Sequence, residues 1–451
     1  VENTIETSEE VASIGEHGAG ACPVCGRSVQ GELFSIASLP EGLRSIITPN
    51  AATASAAGVC GRCLELFDRA WRQIESHATI FEQNDFVLPT PLRMDADERF
   101  TGRGITIAFL DSGFYAHPDL TTPNDRILAY HSIFAEAGDQ TSLETTDVAS
   151  WHGMMTSVVA AGNGGLADGF YRGIASDANV VLVKIGRTGR ISEDQIKQGL
   201  EWVLAHMEEH QIRVINISAG GDFEESYLTN PLSQTVERCV RAGLTIVCAV
   251  GNAGHVPGHP VLPPASAPSS IAVGGLDDRN SLDRARRGMY RSSYGPTSDG
   301  LQKPEVIAPG IWVAAPILPH TPTAEEAELY SKLDAVADED LRPILESNAG
   351  VDKDLDEASA LPIPLIRQLI TVKLREGNVI NPHYKYVDGT SFAAPIVSSI
   401  IACMLEAAPR LTPQQIKRML IDTAERVPDV EVDRQGWGVV SARRAVELAL
   451  G

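Results

Sequence analysis

The chain has 451 residues, 43% hydrophobic and 21% charged, and Lys+Arg of 37 against Asp+Glu of 59 gives a net charge of −22. That length accommodates a large α/β domain with a small module beside it. A surface this acidic repels phosphate backbones and speaks against a nucleic-acid partner. No window approaches the roughly 20 apolar residues of a membrane span, so no membrane partner is expected.

Residues 1–20 read as a disordered acidic lead, without the basic start and apolar core of a signal peptide. Cys22, Cys25, Cys60 and Cys63 then form two C-x-x-C pairs. Each pair sets two thiolates on a tight turn, and together they make a tetrahedral sulfur set suited to structural zinc. Residues 21–84 therefore read as a zinc-ribbon or treble-clef-like module, its second pair running into an amphipathic helix carrying Leu64, Phe67, Ala70, Trp71 and Ile74. A redox dithiol and unrelated thiols are the competing readings. The module is poor in Lys and Arg, which favours a structural role or a regulatory protein partner over nucleic acid. Cys239, Cys248 and Cys403 sit among apolar neighbours and read as buried thiols. An odd cysteine count with scattered core thiols argues against a disulfide framework, and a cytoplasmic location is expected.

Residues 85–100 read as a linker containing Pro89 and Pro91. From 101 onward, apolar runs of strand length alternate with amphipathic helices. Strands are predicted over 105–110, 180–185, 214–218 and 244–250, and helices over 192–209 and 231–242, with Ser192 and Gln195 spaced as a capping box. This alternation predicts a mostly parallel sheet with helices on both faces, whose chemistry lies at the carboxyl ends of the strands. Asp111 and the Gly251-Asn252 pair fall at such ends.

An acidic insert over about 318–384 interrupts the pattern, with helices predicted over 323–336 and 364–375 and a capping-box spacing at Thr323 and Glu326. Asp388-Gly-Thr-Ser391 then opens an apolar helix over 392–405, with Pro395 near its start. Alone, Ser391 reads either as an N-cap or as a serine placed among free N–H groups at the positive end of a helix dipole. Helices opened by Thr412-Pro413, with Gln415 as capping partner, and following Gly436-Trp-Gly438 complete the chain.

Taken in order, Asp111, the His152 of Trp151-His152-Gly153, the Asn252 of Gly251-Asn252-Ala-Gly and the Ser391 of Gly389-Thr-Ser391-Phe-Ala-Ala-Pro395 resemble the motifs of the subtilisin-like serine proteases, the subtilases. Thr101-Gly-Arg-Gly104, His117-Pro-Asp-Leu120, Asn216-Ile-Ser-Ala-Gly-Gly221 and Lys303-Pro-Glu-Val-Ile-Ala-Pro-Gly310 extend the likeness over residues 100–451 apart from the insert. The resemblance implies a three-layer subtilisin-like domain over 101–451 and a serine endopeptidase acting on proteins or peptides. It implies Asp111, His152 and Ser391 as a catalytic triad and Asn252 as oxyanion donor. It also implies Ser218, Ala219, Gly220 and Gly221 as the strand that pairs with substrate, and Ala249, Val250 and Gly251 as a wall of the pocket before the scissile bond. Leu262 would lie at the pocket's far end.

Each role has its own physical reason. A serine hydroxyl attacks at neutral pH only when a base takes its proton, and imidazole titrates in that range. An aspartate holds the ring's other N–H, and an amide donor meets the oxyanion.

This sequence departs from the family where Met154 follows His152-Gly153, in the short glycine-rich stretch 162–169 in place of a calcium loop, and in the cysteine module where secreted relatives carry a propeptide. For calcium, Asp119 alone falls short of the six or more oxygens that ion takes. The alternative function is a latent or silent subtilase-fold binding module governed by the insert or the zinc module.

Overall fold

The computed structural model describes residues 87–134, 143–187, 191–256 and 258–451 throughout, and short stretches between 13 and 68. The predicted alternation is present, with strand boundaries within two residues of expectation. Strands β1 (Thr106–Asp111), β2 (Ile127–Ser132), β3 (Asn179–Lys184), β4 (Ile212–Ile217), β5 (Thr245–Ala249), β6 (Ile271–Asp277), β7 (Gly288–Met289) and β8 (Val306–Pro309) form one sheet. Its order is β7-β6-β5-β4-β1-β3-β2, with β8 also beside β6. All pairings are parallel except β6 with β7.

Side chains alternate across this sheet, and both faces are covered. Ile107 and Phe109 of β1 face one core with α1 (Ser150–Ala161), while Ala108 and Leu110 face a second with α2 (Glu193–His206) and α3 (Pro231–Arg241). The first core also holds α8 (Thr390–Ala407), which packs across β4, β5, β6 and β8 and against α1. Ser192 caps α2 through the expected box, and Thr412 does the same for the helix Pro413–Thr423. No membrane-length window was expected, yet by length and composition α8 is such a stretch; it is 83% buried inside the protein, so its apolarity serves packing.

Three further expectations change. Ser13 and Ile14, inside the stretch expected to be disordered, pair with Phe34 and Leu33. Residues 87–96 are no free linker: Pro91 sits in the first turn of the short helix Thr90–Arg93, and the buried Arg93 forks onto Asp278 with two 2.8 Å bonds. A bidentate buried pair of this kind fixes the segment to the domain. The insert's first helix, α4 (Pro322–Ala335), is capped by Thr321 and not by Thr323, because Pro322 takes the first helical position.

The insert continues through α5 (Leu341–Ser347), α6 (Lys353–Ala358) and α7 (Ile363–Glu376), around its own core of Leu329, Tyr330, Leu333, Leu341, Leu345, Leu355, Ile366 and Ile370. It springs from a hairpin. β9 (Val313–Pro316) pairs antiparallel with β11 (Tyr384–Val387), and β10 (Val379–Asn381) adds to β11. The root of that hairpin is anchored by Tyr384, which is fully buried and donates its hydroxyl to Asp119. Tyr384 also joins the cluster that holds Ile36, Leu39, Val59 and Phe67 of the N-terminal region.

Removing one donor from a buried carboxylate leaves it short of a partner, at a cost of about 1–3 kcal/mol. Tyr384→Phe should lower unfolding stability by that amount in urea titration, and an unchanged midpoint would show that the bond contributes nothing.

Candidate active site

The site is built on the carboxyl rim of the sheet. Leu110 of β1, Ile217 of β4 and Cys248 of β5 are level with one another. The next residue on each strand therefore forms one row: Asp111, Ser218 and Ala249.

Asp111 is 2% exposed, and its Oδ1 accepts a 2.7 Å bond from the Ser112 N–H. Both of its carboxylate oxygens lie 2.9 Å from His152 Nδ1. Thr156, one turn further along α1, reaches Oδ2 at 3.4 Å. A carboxylate at Nδ1 favours the tautomer with the proton there, which leaves Nε2 free to accept one. The His152 side chain is 21% exposed, enough for Nε2 to meet a substrate. Gly153 permits this approach, since a Cβ there would stand 2.1 Å from the Gly113 carbonyl oxygen and 2.9 Å from Asp111 Cβ. Burial works to lower the affinity of His152 for a proton. The adjoining Asp111 carboxylate, by charge and hydrogen bond together, outweighs it and holds the imidazole above its ordinary value of 6.5.

Ser391 is not a cap. Gly389 occupies the N-cap with φ 143°, a conformation reserved for glycine, and accepts bonds from the Phe392 and Ala393 N–H groups at 3.1 and 3.4 Å. Ser391 is the second residue of α8, where helix N–H groups lack intrahelical partners. Its Oγ lies 3.5 Å from the Ser218 carbonyl oxygen. No hydrogen bond to His152 is found among the described residues, but the His152 ring centre lies 5.8 Å from that of Phe392. Contacts of this kind commonly tighten only when substrate binds.

Pro395 gives the helix a defect at a useful place. With no N–H at Pro395, the Ser391 carbonyl has no i+4 donor in the helix. The Ser218 hydroxyl fills the gap, donating at 2.8 Å. Ser218 Oγ in turn accepts from Asn216 Nδ2 at 3.1 Å, and Asn216 Oδ1 accepts from Ser398 Oγ at 3.0 Å. The helix start is thereby tied to strand β4.

Asn252 is oriented by Thr390, a residue of the Gly389–Pro395 motif to which the resemblance assigns no role. Its Oδ1 accepts from the Thr390 N–H at 2.9 Å and the Thr390 hydroxyl at 3.0 Å. The acceptor end is thus engaged, and Nδ2 remains as a donor beside Gly389, where a Cβ would come within 3.8 Å of it. Gly251 (φ 102°) donates to Thr390 Oγ1 at 3.3 Å, so Ala249, Val250 and Gly251 end at the same helix start.

Ser218, Ala219 and Gly220 run on from β4; Gly221 has its N–H committed to the Pro263 carbonyl at 2.6 Å and offers only its own carbonyl. Leu262 is half-buried. A cavity of about 410 Å³ opens beside His152, lined by Asp111, Ser112, Val148, Ala149, Trp151, Arg187, Ile191 and Ser218. Most of these residues were not anticipated, because they come from loops with no motif.

Away from the cleft, the sulfurs of Cys22, Cys60 and Cys63 lie within 4.8 Å of one another, all buried, and the Cys60 N–H points at Cys22 Sγ at 3.4 Å. Zinc–sulfur bonds of about 2.3 Å fit sulfurs at such spacing. Cys25, and Ala70, Trp71 and Ile74 of the expected helix, lie outside the described residues. Cys239, Cys248 and Cys403 are buried free thiols. Asp119 directs its carboxylate oxygens to the Leu166 N–H and the Tyr384 hydroxyl, which leaves it poorly placed as a calcium ligand.

The sequence profile described as the subtilase family, Peptidase_S8, matches residues 102–438. The chain is 28% identical over 357 residues to the serine protease AprX of Bacillus subtilis, covering 77% of this chain and 67% of that protein. It is 28% identical over 213 residues to subtilisin BL of Lederbergia lenta, covering 47% of this chain and 65% of that one. Among solved structures, fervidolysin from Fervidobacterium pennivorans, a keratinolytic enzyme related to subtilisin, aligns with a TM-score of 0.52 and 20% identity over 79% of this chain and 45% of its own.

The Asp111–His152 pair gives a pH signature. A folded-state value raised above 6.5 adds stability that is present below pH 6.5 and lost as pH rises through the raised value. Asp111→Asn should therefore destabilise the protein most at pH 5–6.5 and progressively less at higher pH. NMR titration should move the His152 midpoint downward in the variant, and a midpoint that stays in place would show that the carboxylate does not set it.

Proposed function

Because this chain belongs to the subtilase family, and is by that kinship a subtilisin-like serine endopeptidase, we propose that it cleaves proteins or peptides through an acyl-enzyme on Ser391. The observation that carries this reading is the His152 ring, held by both Asp111 oxygens at 2.9 Å beside the start of the helix that bears Ser391. Ser391 Oγ attacks the scissile carbonyl while His152 Nε2 takes its proton. Asp111 stabilises the resulting imidazolium. Asn252 Nδ2 and the Ser391 N–H receive the developing oxyanion at the positive end of the α8 dipole. His152 then returns the proton to the leaving amine, and water activated by the same ring releases the acyl group. Substrate lies extended along Ser218–Gly221 by strand addition, with the side chain before the cleaved bond against Ala249, Val250 and Gly251.

The cysteine module supports a second part of the proposal. Cys22, Cys60 and Cys63, completed by Cys25, would hold one structural zinc ion, whose role is to clamp the two turns together.

A fluorophosphonate probe should label the protein at Ser391, and Ser391→Ala should abolish labelling; labelling that survives would overturn the assignment. Asn252→Ala should lower kcat by about 10²–10³-fold, the size seen on removing such a donor from subtilisin itself, with KM little changed. Metal analysis should find about one zinc ion per chain, and Cys22→Ser should lose it. Purification with no zinc would remove the metal reading without touching the protease one.

A further inference from the structure

The cavity beside His152 carries a charge that the mechanism does not use. Arg187 lines it together with Trp151, Ile191 and Ser218. Its side chain is exposed, with the guanidinium carbon 4.6 Å from the centre of the Phe134 ring. Such a seat holds the head group in place without neutralising it. Among the described residues, no carboxylate forms an ion pair with Arg187.

Three acids within or beside the described lining segments are already engaged. Asp111 holds His152, and Asp147 pairs with Lys184 at 3.2 Å. Glu193 accepts from the Asp222 N–H at 3.3 Å and from the Asn230 amide at 2.7 Å. An arginine with no carboxylate partner among the described residues, at a concave site in a chain of net charge −22, is set to attract a carboxylate from outside.

Strand geometry says which substrate side chain reaches it. On the protease reading above, on which this inference rests, the side chain before the cleaved bond meets Ala249, Val250 and Gly251. In an extended peptide the next side chain upstream points to the opposite face. The Arg187 cavity is lined by His152 and Ser218 and by none of Ala249, Val250, Gly251 or Asn252. We propose that Arg187 makes the enzyme select peptides carrying Asp or Glu two residues upstream of the cleaved bond.

The test uses the full chain and matched peptides bearing Glu, Gln or Lys at that position. Wild-type kcat/KM should favour Glu over Gln by about fivefold at low salt, the size of a partly exposed ion pair, and the ratio should shrink in 1 M salt. Arg187→Ala should bring the ratio to about one. Arg187→Glu should invert the order in favour of Lys, a gain that misfolding cannot produce. Equal wild-type turnover of the Glu and Gln peptides would overturn the proposal while leaving the protease reading intact, and so would a Glu preference surviving Arg187→Ala. A wild-type chain that neither reacts with fluorophosphonate nor turns over any peptide would overturn both.

Discussion

Parallel register across three adjacent strands is the constraint on which this site depends. Leu110, Ile217 and Cys248 are level, so β1, β4 and β5 end together and deliver Asp111, Ser218 and the turn to Asn252 at one rim. A slip of one residue in any of these strands would turn its side chains to the other face and exchange the contents of two separate cores. The register is therefore enforced by burial. Ala108 and Leu110 fill one core while Ile107 and Phe109 fill the other. The functional geometry is a by-product of packing that has no reason of its own to favour catalysis.

The nucleophile does not come from the sheet, so its placement needs a separate device. Helix α8 is held against the sheet by burial along most of its length, but packing alone sets a helix start only loosely. Two polar links complete the placement. Pro395 frees the Ser391 carbonyl for the Ser218 hydroxyl, and Thr390 engages the acceptor end of Asn252. Each engages an acceptor at the helix start, the second through the buried Thr390, and each joins the helix to the end of a different strand. The Thr390 N–H is a buried donor, and leaving it unpaired would cost about 1–3 kcal/mol, which holds Asn252 in place.

Much of this was legible in the sequence, for physical reasons. Long apolar runs at strand length, broken by glycine turns, state the alternation, and Asp111, His152, Asn252 and Ser391 stand at its loops. The Ser192 and Thr412 caps were legible because a capping box is local, spanning four consecutive residues. Thr321 was missed because Thr323 has the same local signature, and only the placing of Pro322 at the first helical turn decides between them. The segment 87–96 looked like a linker because its anchor, Asp278, lies far along the chain. The cavity residues Val148, Arg187 and Ile191 share no spacing at all, since only the fold brings their loops together. Local chemistry is written in the sequence; the walls around it are not.

The insert shows why a large excursion can sit just before a nucleophile without displacing it. β9 and β11 are paired from Val313–Val387 to Pro316–Tyr384, so the chain leaves and returns at neighbouring points. Closing a longer loop between points already held together costs little, because loop entropy grows only with the logarithm of length. The excursion brings its own core, so its folding draws nothing from the sheet. On the return side, Tyr384 is tied to Asp119, the Trp312 N–H donates to the Asp388 carboxylate at 3.1 Å, and the Gly389 N–H donates to the Gly310 carbonyl at 2.8 Å. These bonds fix the chain before it reaches Ser391. The site can thus carry a sizeable appendage beside it and still present the hydroxyl in a position set by the sheet.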